Sequence, residues 1–305
     1  MNIVFMGTPD FAVPTLEKLA QSRHNILAVI TQPDKPVGRK QILTPPDVKV
    51  CAEKFGLTVL QPETLKDENS YKEIKELAPD VIVVVAYGKI LPKNILDIPE
   101  YGCVNVHGSL LPKYRGAAPI QQAVLNGDKV TGVTTMYMAE GLDTGDILMR
   151  AETEIGENET SAELFDRLAL LGADLLLETL EKLENGSITP VKQDEEEATY
   201  TVKITKEMCP IDWTKSAEVI HNQVRGLQTW PVASAKLNGK DVKIHSTRLC
   251  EKNGKAGEII DIDPLTVACG EDSLIIKELQ LSGKKRMDSK SFMLGHPLGI
   301  GDKFE

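Results

Sequence analysis

Val81-Ile82-Val83-Val84-Val85-Ala86 holds no polar side chain over six positions, and a run of this kind leaves a chain few folds to choose from. A strand with one wet face alternates apolar and polar residues. A strand that does not alternate is covered on both faces, as in parallel sheets flanked by helices. Residues 2–6 form a second such run, ending at Gly7, and residues 26–30 a third. Between the first two, Phe11, Leu16 and Leu19 follow helical spacing through residues 11–20. Covered strands alternating with helices predict a Rossmann-like α/β fold with a doubly wound, mostly parallel sheet over residues 1–150. Such sheets bind ligands beyond the carboxyl ends of their strands. Gly7-Thr8-Pro9-Asp10 lacks the G-x-G-x-x-G pattern and reads as a strand-to-helix turn, not a dinucleotide site.

The later pattern changes. Val133-Thr134-Thr135-Met136-Tyr137-Met138 and residues 147–153 read as strands around a turn containing Asp143. Residues 160–183 read as a long helix with capping hydroxyls at Thr160 and Ser161, closed by Asn185-Gly186. Residues 187–203, with Pro190 and an acidic run at 194–197, lack apolar periodicity and read as a linker. Beyond it, a short helix at 216–224 precedes short strands with hairpin-type turns, Leu237-Asn238-Gly239-Lys240 being the strongest turn signal. Further strands are expected at 242–244, 257–262, 265–268 and 274–281, a pattern that suits a small antiparallel barrel. The expected organisation is therefore a domain over 1–186, a linker over 187–203 and a second domain over 204–305. Residues 32–46 stand apart: four prolines and Gly38 predict an irregular loop, charged at Asp34, Lys35, Arg39 and Lys40, on the ligand side of the sheet.

The 305-residue chain is long enough for two cores, and its net charge of −10 does not suggest a nucleic-acid partner. That charge is uneven: residues 204–305 carry 15 Lys and Arg against 14 Asp and Glu, and residues 1–203 carry 20 against 31. The C-terminal part is the less repulsive half for a phosphate backbone. No apolar run reaches the ~18 residues of a membrane helix. The first residues lack the basic lead-in and cleavage site of a secretory signal. Five scattered cysteines without a C-x-x-C pair fit reduced thiols in a cytoplasmic protein, with neither a zinc site nor a disulfide framework expected.

Chemistry concentrates in Val104-Asn105-Val106-His107-Gly108-Ser109-Leu110-Leu111-Pro112 and, downstream, Gly141-Leu142-Asp143-Thr144-Gly145-Asp146. Asn105 and His107 lie two apart on a strand and so share a face. An amide donor beside an imidazole can hold a developing oxyanion, and a carboxylate such as Asp143 can orient and charge the imidazole. The plainer alternative is a capped strand end with a surface histidine. Asp146 reads as a turn residue, an exchange of roles with Asp143 remaining open. His24, His221, His245 and His296 show no ligand spacing and read as surface or structural residues. No metal site is expected.

The two motifs together resemble the 10-formyltetrahydrofolate-dependent formyltransferases. Phe5-Met6-Gly7-Thr8-Pro9-Asp10-Phe11-Ala12, Thr31-Gln32-Pro33-Asp34-Lys35-Pro36, Val85-Ala86-Tyr87-Gly88-Lys89-Ile90-Leu91-Pro92, Arg115-Gly116-Ala117-Ala118-Pro119-Ile120 and Gly301-Asp302-Lys303-Phe304-Glu305 resemble the branch of that family acting on methionyl-tRNA. The resemblance implies transfer of the formyl group of 10-formyltetrahydrofolate, the co-substrate, to the amino group of initiator methionyl-tRNA. It implies Asn105, His107 and Asp143 as the catalytic set, and Ser109, Leu110, Leu111 and Pro112 as the folate-binding segment. Tyr87, Ile90 and Leu91 are candidates for the pterin slot, ordinary packing being the alternative. In that branch a basic loop at 32–46 reaches the acceptor end of tRNA, which implies RNA contacts for Lys35, Arg39 and Lys40. An OB-like barrel is implied for the C-terminal domain, and a cytoplasmic, monomeric enzyme without a membrane partner is expected. Relatives acting on glycinamide ribonucleotide or on amino sugars, and a non-catalytic RNA-binding protein, are the competing readings.

Overall fold

The computed structural model describes residues 1–38 and 40–305; Arg39, one of the candidate RNA contacts, lies outside the described residues. In chain order the elements are β1 (Asn2–Gly7), α1 (Val13–Ala20), β2 (Asn25–Ile30), β3 (Lys35–Val37), β4 (Ile42–Thr44), α2 (Asp47–Lys54), β5 (Val59–Leu60), α3 (Glu68–Glu76), β6 (Val81–Val85), α4 (Lys93–Leu96), β7 (Cys103–His107), β8 (Arg115–Gly116), α5 (Pro119–Leu125), β9 (Val130–Tyr137), β10 (Ile147–Glu154) and α6 (Ser161–Glu184). They continue with β11 (Tyr200–Thr201), α7 (Ala217–Gly226), β12 (Ser234–Leu237), β13 (Lys240–Cys250), β14 (Ile259–Ile262), β15 (Leu265–Ala268), β16 (Ser273–Leu281), β17 (Met287–Asp288) and α8 (Ser289–Gly295). Two compact units interleave along the chain. The first comprises Met1–Gly116, Thr131–Thr153 and Phe165–Tyr200; the second comprises Ala117–Val130, Glu154–Leu164 and Thr201–Glu305.

In the first unit, among the described residues, seven strands form one sheet in the order β10-β9-β7-β6-β1-β2-β5. The neighbours from β7 to β5 are parallel, and β9 runs antiparallel to β7. The apolar run of β6 is buried throughout, between β1 and β7, as a strand without alternation requires. Helix α1 buries Thr15, Leu16 and Leu19 and leaves its other side wet. Loops after three parallel strands are tied together, because Thr8 Oγ1 and Gln32 Nε2 each donate to Tyr87 O at 2.9 Å. Tyr87 and Leu91 are buried members of the core cluster around β6, whereas Ile90 is exposed.

Residues 32–46 depart from the irregular loop expected. Here β3 and β4 pair antiparallel, with Lys35 opposite Thr44, Pro36 opposite Leu43 and Val37 opposite Ile42. Pro36 is compatible with pairing because both strands of a two-stranded ribbon are edges, where a missing N–H can face outward. Gln41 N closes the turn on Gly38 O at 3.2 Å.

The second unit is built on an antiparallel sheet in the order β12-β13-β16-β15-β14, with β17 beside β16. Asn238 and Gly239, at φ 50° and 73°, make the predicted hairpin between β12 and β13 in the left-handed turn that only a few residue types favour. The last residues then touch both outer strands of this sheet. Lys236 and Glu305 exchange backbone hydrogen bonds on the β12 side; Phe304 N donates to Gly257 O and Ile259 N to Asp302 O on the β14 side. Phe304 is buried against Trp213, ring centroids 5.6 Å apart. Helix α7, capped by Ser216, packs its apolar face into the same core, as does Leu125 of α5. Helix α6 starts with a reciprocal capping box: Thr160 N and Oγ1 donate to Glu163 Oε2 at 2.9 and 2.8 Å, and Glu163 N donates back to Thr160 Oγ1 at 3.3 Å. No helix among the described residues is long and apolar enough to cross a membrane.

Candidate active site at the end of strand β7

Strand β7 presents Asn105 and His107 just before the chain turns at Gly108. His107 is buried at 7 % exposure, and Asn105 is half-buried. Among the described residues the Asn105 amide has no hydrogen-bond partner. The His107 ring lies between two acceptors. Nε2 is 2.9 Å from Tyr114 O, and Nδ1 is 3.7 Å from Asp143 Oδ2, within ion-pair range but too far for a hydrogen bond.

Asp143 reaches this position on a strained turn. Its φ is 52°, unusual for a residue with a Cβ. Gly116 N donates to its Oδ2 at 2.8 Å, and Gln193 Nε2 donates to Asp143 O at 2.7 Å and Gly145 O at 2.8 Å. Gly145 admits no side chain, because a Cβ there would run into Tyr137 O. Asp146 instead accepts from Tyr137 N through its carbonyl at 2.9 Å, in keeping with a turn residue.

Ser109-Leu110-Leu111-Pro112 continues from β7 as a turn whose polar groups are largely engaged internally. Ser109 Oγ donates to Lys113 O at 2.7 Å, Thr134 Oγ1 donates to Ser109 O at 2.7 Å, Leu111 N donates to Thr134 Oγ1 at 3.1 Å, and Arg150 Nη2 donates to Leu111 O at 2.5 Å. Ser109 and Leu111 are buried, and Leu110 is half-buried. Lys35 Nζ donates to Gln32 Oε1 at 2.5 Å, and Lys40 is exposed. Neither lysine is hydrogen-bonded or ion-paired to His107 or Asp143 among the described residues. The clefts lined by His245, Arg248, Lys277 and Arg286, about 510 Å³, and by Tyr71, Asp80 and Asp97, about 600 Å³, contain none of these residues.

Sequence reasoning missed the parts that hold the cluster. Strand β8 and the residue before it supply Gly116 N to Asp143 and Tyr114 O to His107, one on each side of Arg115. Arg115 is fully buried and turns its guanidinium onto the segment expected as a linker: Nε donates to Gln193 Oε1 at 3.0 Å, and Nη1 and Nη2 donate to the two Glu195 oxygens at 2.9 and 2.8 Å. The Glu195 carboxylate raises the Arg115 pKa, and the guanidinium in turn lowers that of Glu195. The one sequence hint was an arginine among small residues at 115–118; Gln193 lies beside an acidic run and carries no signal of its own.

Residues 1–180 match the family model described as formyl transferase, and residues 203–297 match that of the formyl transferase C-terminal domain. The chain belongs to the formyl transferase family. Among formyl transferase relatives, it is 49% identical over 307 residues to the methionyl-tRNA formyltransferase of Acetivibrio thermocellus, covering 99% of both chains. To the methionyl-tRNA formyltransferase of Citrifermentans bemidjiense it is 50% identical over 303 residues, covering 99% of this chain and 95% of that one. Two solved structures share the formyl transferase fold at low identity. One is an N-formyltransferase from Helicobacter canadensis in complex with folinic acid and dTDP-3-aminofucose, with TM-score 0.69, 20% identity and coverage of 93% of this chain and 99% of that one. The other is HypX from Aquifex aeolicus in complex with tetrahydrofolic acid, with TM-score 0.64, 17% identity and coverage of 99% of this chain and 48% of that one.

Proposed function

We propose that this formyl transferase moves the formyl group of 10-formyltetrahydrofolate to the amino group of initiator methionyl-tRNA, giving N-formylmethionyl-tRNA for translation initiation. The observation that carries the proposal is the likeness, across both units, to relatives that bear the methionyl-tRNA formyltransferase name. Attack of an amine on a formyl carbon drives negative charge onto the formyl oxygen. The unpartnered Asn105 amide is suited to donate to that oxygen. The His107 ring is held at Nε2 by Tyr114 O, and Asp143 Oδ2, 3.7 Å from Nδ1, orients it toward the same oxygen.

Folate is assigned to the surface of Ser109-Leu110-Leu111-Pro112. The internal hydrogen bonds of that turn support a contact through apolar surface and leave little backbone to offer. Lys35, Arg39 and Lys40 are assigned to the acceptor end of the tRNA. The C-terminal domain, read as an OB-like barrel over 204–305 after a domain at 1–186 and a linker at 187–203, is assigned to tRNA binding. The enzyme is read as a cytoplasmic monomer.

The test supplies purified protein and 10-formyltetrahydrofolate with charged initiator tRNA, glycinamide ribonucleotide or an amino-sugar nucleotide in turn. Formyl should appear on the tRNA alone. Asn105→Ala should lower kcat by about 10²–10³-fold with folate affinity retained. Formylation of the amino-sugar nucleotide in place of the tRNA overturns the proposal.

A further inference from the structure

Residues 191–200 have no apolar periodicity, yet Val191, Gln193, Glu195, Thr199 and Tyr200 are bonded to the walls of the site. Val191 and Ile147 exchange backbone hydrogen bonds at 2.8 Å, just past the Asp143 turn. Thr199 O accepts from Arg115 N at 2.8 Å, Thr199 Oγ1 from Tyr114 N at 2.8 Å, and Pro112 O accepts from Thr199 N at 3.2 Å. Between these ends lies Gln193, whose amide oxygen faces Arg115 Nε while its nitrogen bridges Asp143 O and Gly145 O. Glu195 and the Tyr200 hydroxyl, the latter 3.0 Å from Nη1, hold the same guanidinium.

A residue with a Cβ at positive φ persists only where its surroundings over-determine it. At Asp143 the backbone constraint comes from a side-chain amide fifty residues away in sequence. That amide cannot flip, because one end must accept from Arg115 and the other must donate to two carbonyls.

We propose that Gln193 is a positioning residue of this enzyme: oriented by Arg115 and Glu195, its amide fixes the turn at Asp143 and so sets the carboxylate beside His107. Residues 191–200 thereby act as a strap across the site. The proposal rests on the reading that Asp143 and His107 work together in formyl transfer.

The experiment compares wild type, Gln193→Ala and Glu195→Gln in two measurements: steady-state formylation of charged initiator tRNA, and the ¹⁵N resonances of the His107 imidazole. Gln193→Ala should lower kcat by about 10- to 100-fold, the scale of a small misplacement of reacting groups. KM for tRNA and for folate should stay put, and the His107 resonances should move. Glu195 is largely exposed, so Glu195→Gln keeps the fold while loosening Arg115. It should shift the same resonances in the same direction by less, with a smaller loss of kcat, and it decides the matter if Gln193→Ala does not fold. An unchanged kcat, a raised KM alone, or a fall in kcat with unmoved resonances overturns the strap. A wild type that formylates no tRNA overturns the functional reading instead, and the resonances then judge the strap alone.

Discussion

His221 and His107 are both buried, but their ring nitrogens meet different company. His221 Nδ1 is 2.8 Å from Thr247 Oγ1 and Nε2 is 3.2 Å from Glu157 O. The carbonyl accepts only, so Nε2 carries the proton; the hydroxyl donates to Nδ1, and the neutral ring is fully matched. Burial lowers the His221 pKa below the ordinary 6.5. The unfolded chain then binds a proton before the folded one does. Stability is therefore complete above about pH 6.5 and falls as the pH drops from there toward the lower folded value. Thermal unfolding of wild type between pH 7.5 and 5 should show Tm falling through that window. His221→Gln, which keeps a donor for Glu157 O, should start lower and fall less steeply. Parallel curves for the two proteins would rule out His221 as a source of the slope. His107, with a carbonyl and a carboxylate as neighbours, has no such hydroxyl to donate to it. The sequence singles out His107 by the motif around it, but only the folded neighbours show that His221 is a buried, fully matched ring and not a surface one.

At the scale of elements, what the sequence revealed depended on where each element finds its partners. Strand β6 was legible because covering both of its faces is written into consecutive residues, and α6 because Thr160 and Glu163 carry their cap within one turn. The β12–β13 hairpin was legible because Asn238 and Gly239 tolerate the turn locally. Strands β3 and β4 were not, since Pro36 and the prolines flanking the pair disfavour pairing in general and only an edge position admits Pro36. Residues 191–200 escaped because their bonds are polar, distant in sequence and aperiodic. The C-terminal tail belongs with them: nothing in Asp302-Lys303-Phe304-Glu305 announces a strand, yet these residues bond to both sides of the second unit's sheet. Phe304 is 2 % exposed and anchors that tail on Trp213. Phe304→Ala should cost about 3–5 kcal/mol, as for other buried aromatics. Urea unfolding followed at Trp213 should show the midpoint fall with m unchanged. A loss within about 0.5 kcal/mol, the scale of surface substitutions, would mean that the tail does not close this core.

At the scale of the molecule, the two units are not two consecutive stretches of chain. Ala117–Val130 and Glu154–Leu164 lie before α6 has ended, yet they cluster with Thr201–Glu305. Their ties to that unit are specific. The Arg225 guanidinium, 4 % exposed, donates from Nη1 to Gly156 O at 3.3 Å and Glu159 O at 3.1 Å. Ser161 Oγ donates to Gln228 O at 2.6 Å, and His221 is bonded to Glu157 O. Leu125 of α5 packs against the apolar core, touching the position where a Cβ on Gly226 would stand. A fragment of residues 201–305 keeps every strand of its sheet but loses all of these partners. Its Arg225 would keep Asn222 Oδ1 as the acceptor of Nε but lose both carbonyls that hold Nη1, a costly arrangement for a buried cation, and the core would open where Leu125 had been. We therefore expect the fragment alone to give poorly dispersed amide resonances, to bind a hydrophobic dye and to lack a cooperative thermal transition. Adding residues 117–164 on the same chain should restore none of this through new strands in the sheet, only through the lost acceptors and α5. Within the longer fragment, Arg225→Met removes the cation and Leu125→Ala removes the apolar cover, so each should lower Tm for its own reason. A 201–305 fragment with native dispersion and sharp two-state unfolding would show that the interleaved segments merely rest on a unit already complete.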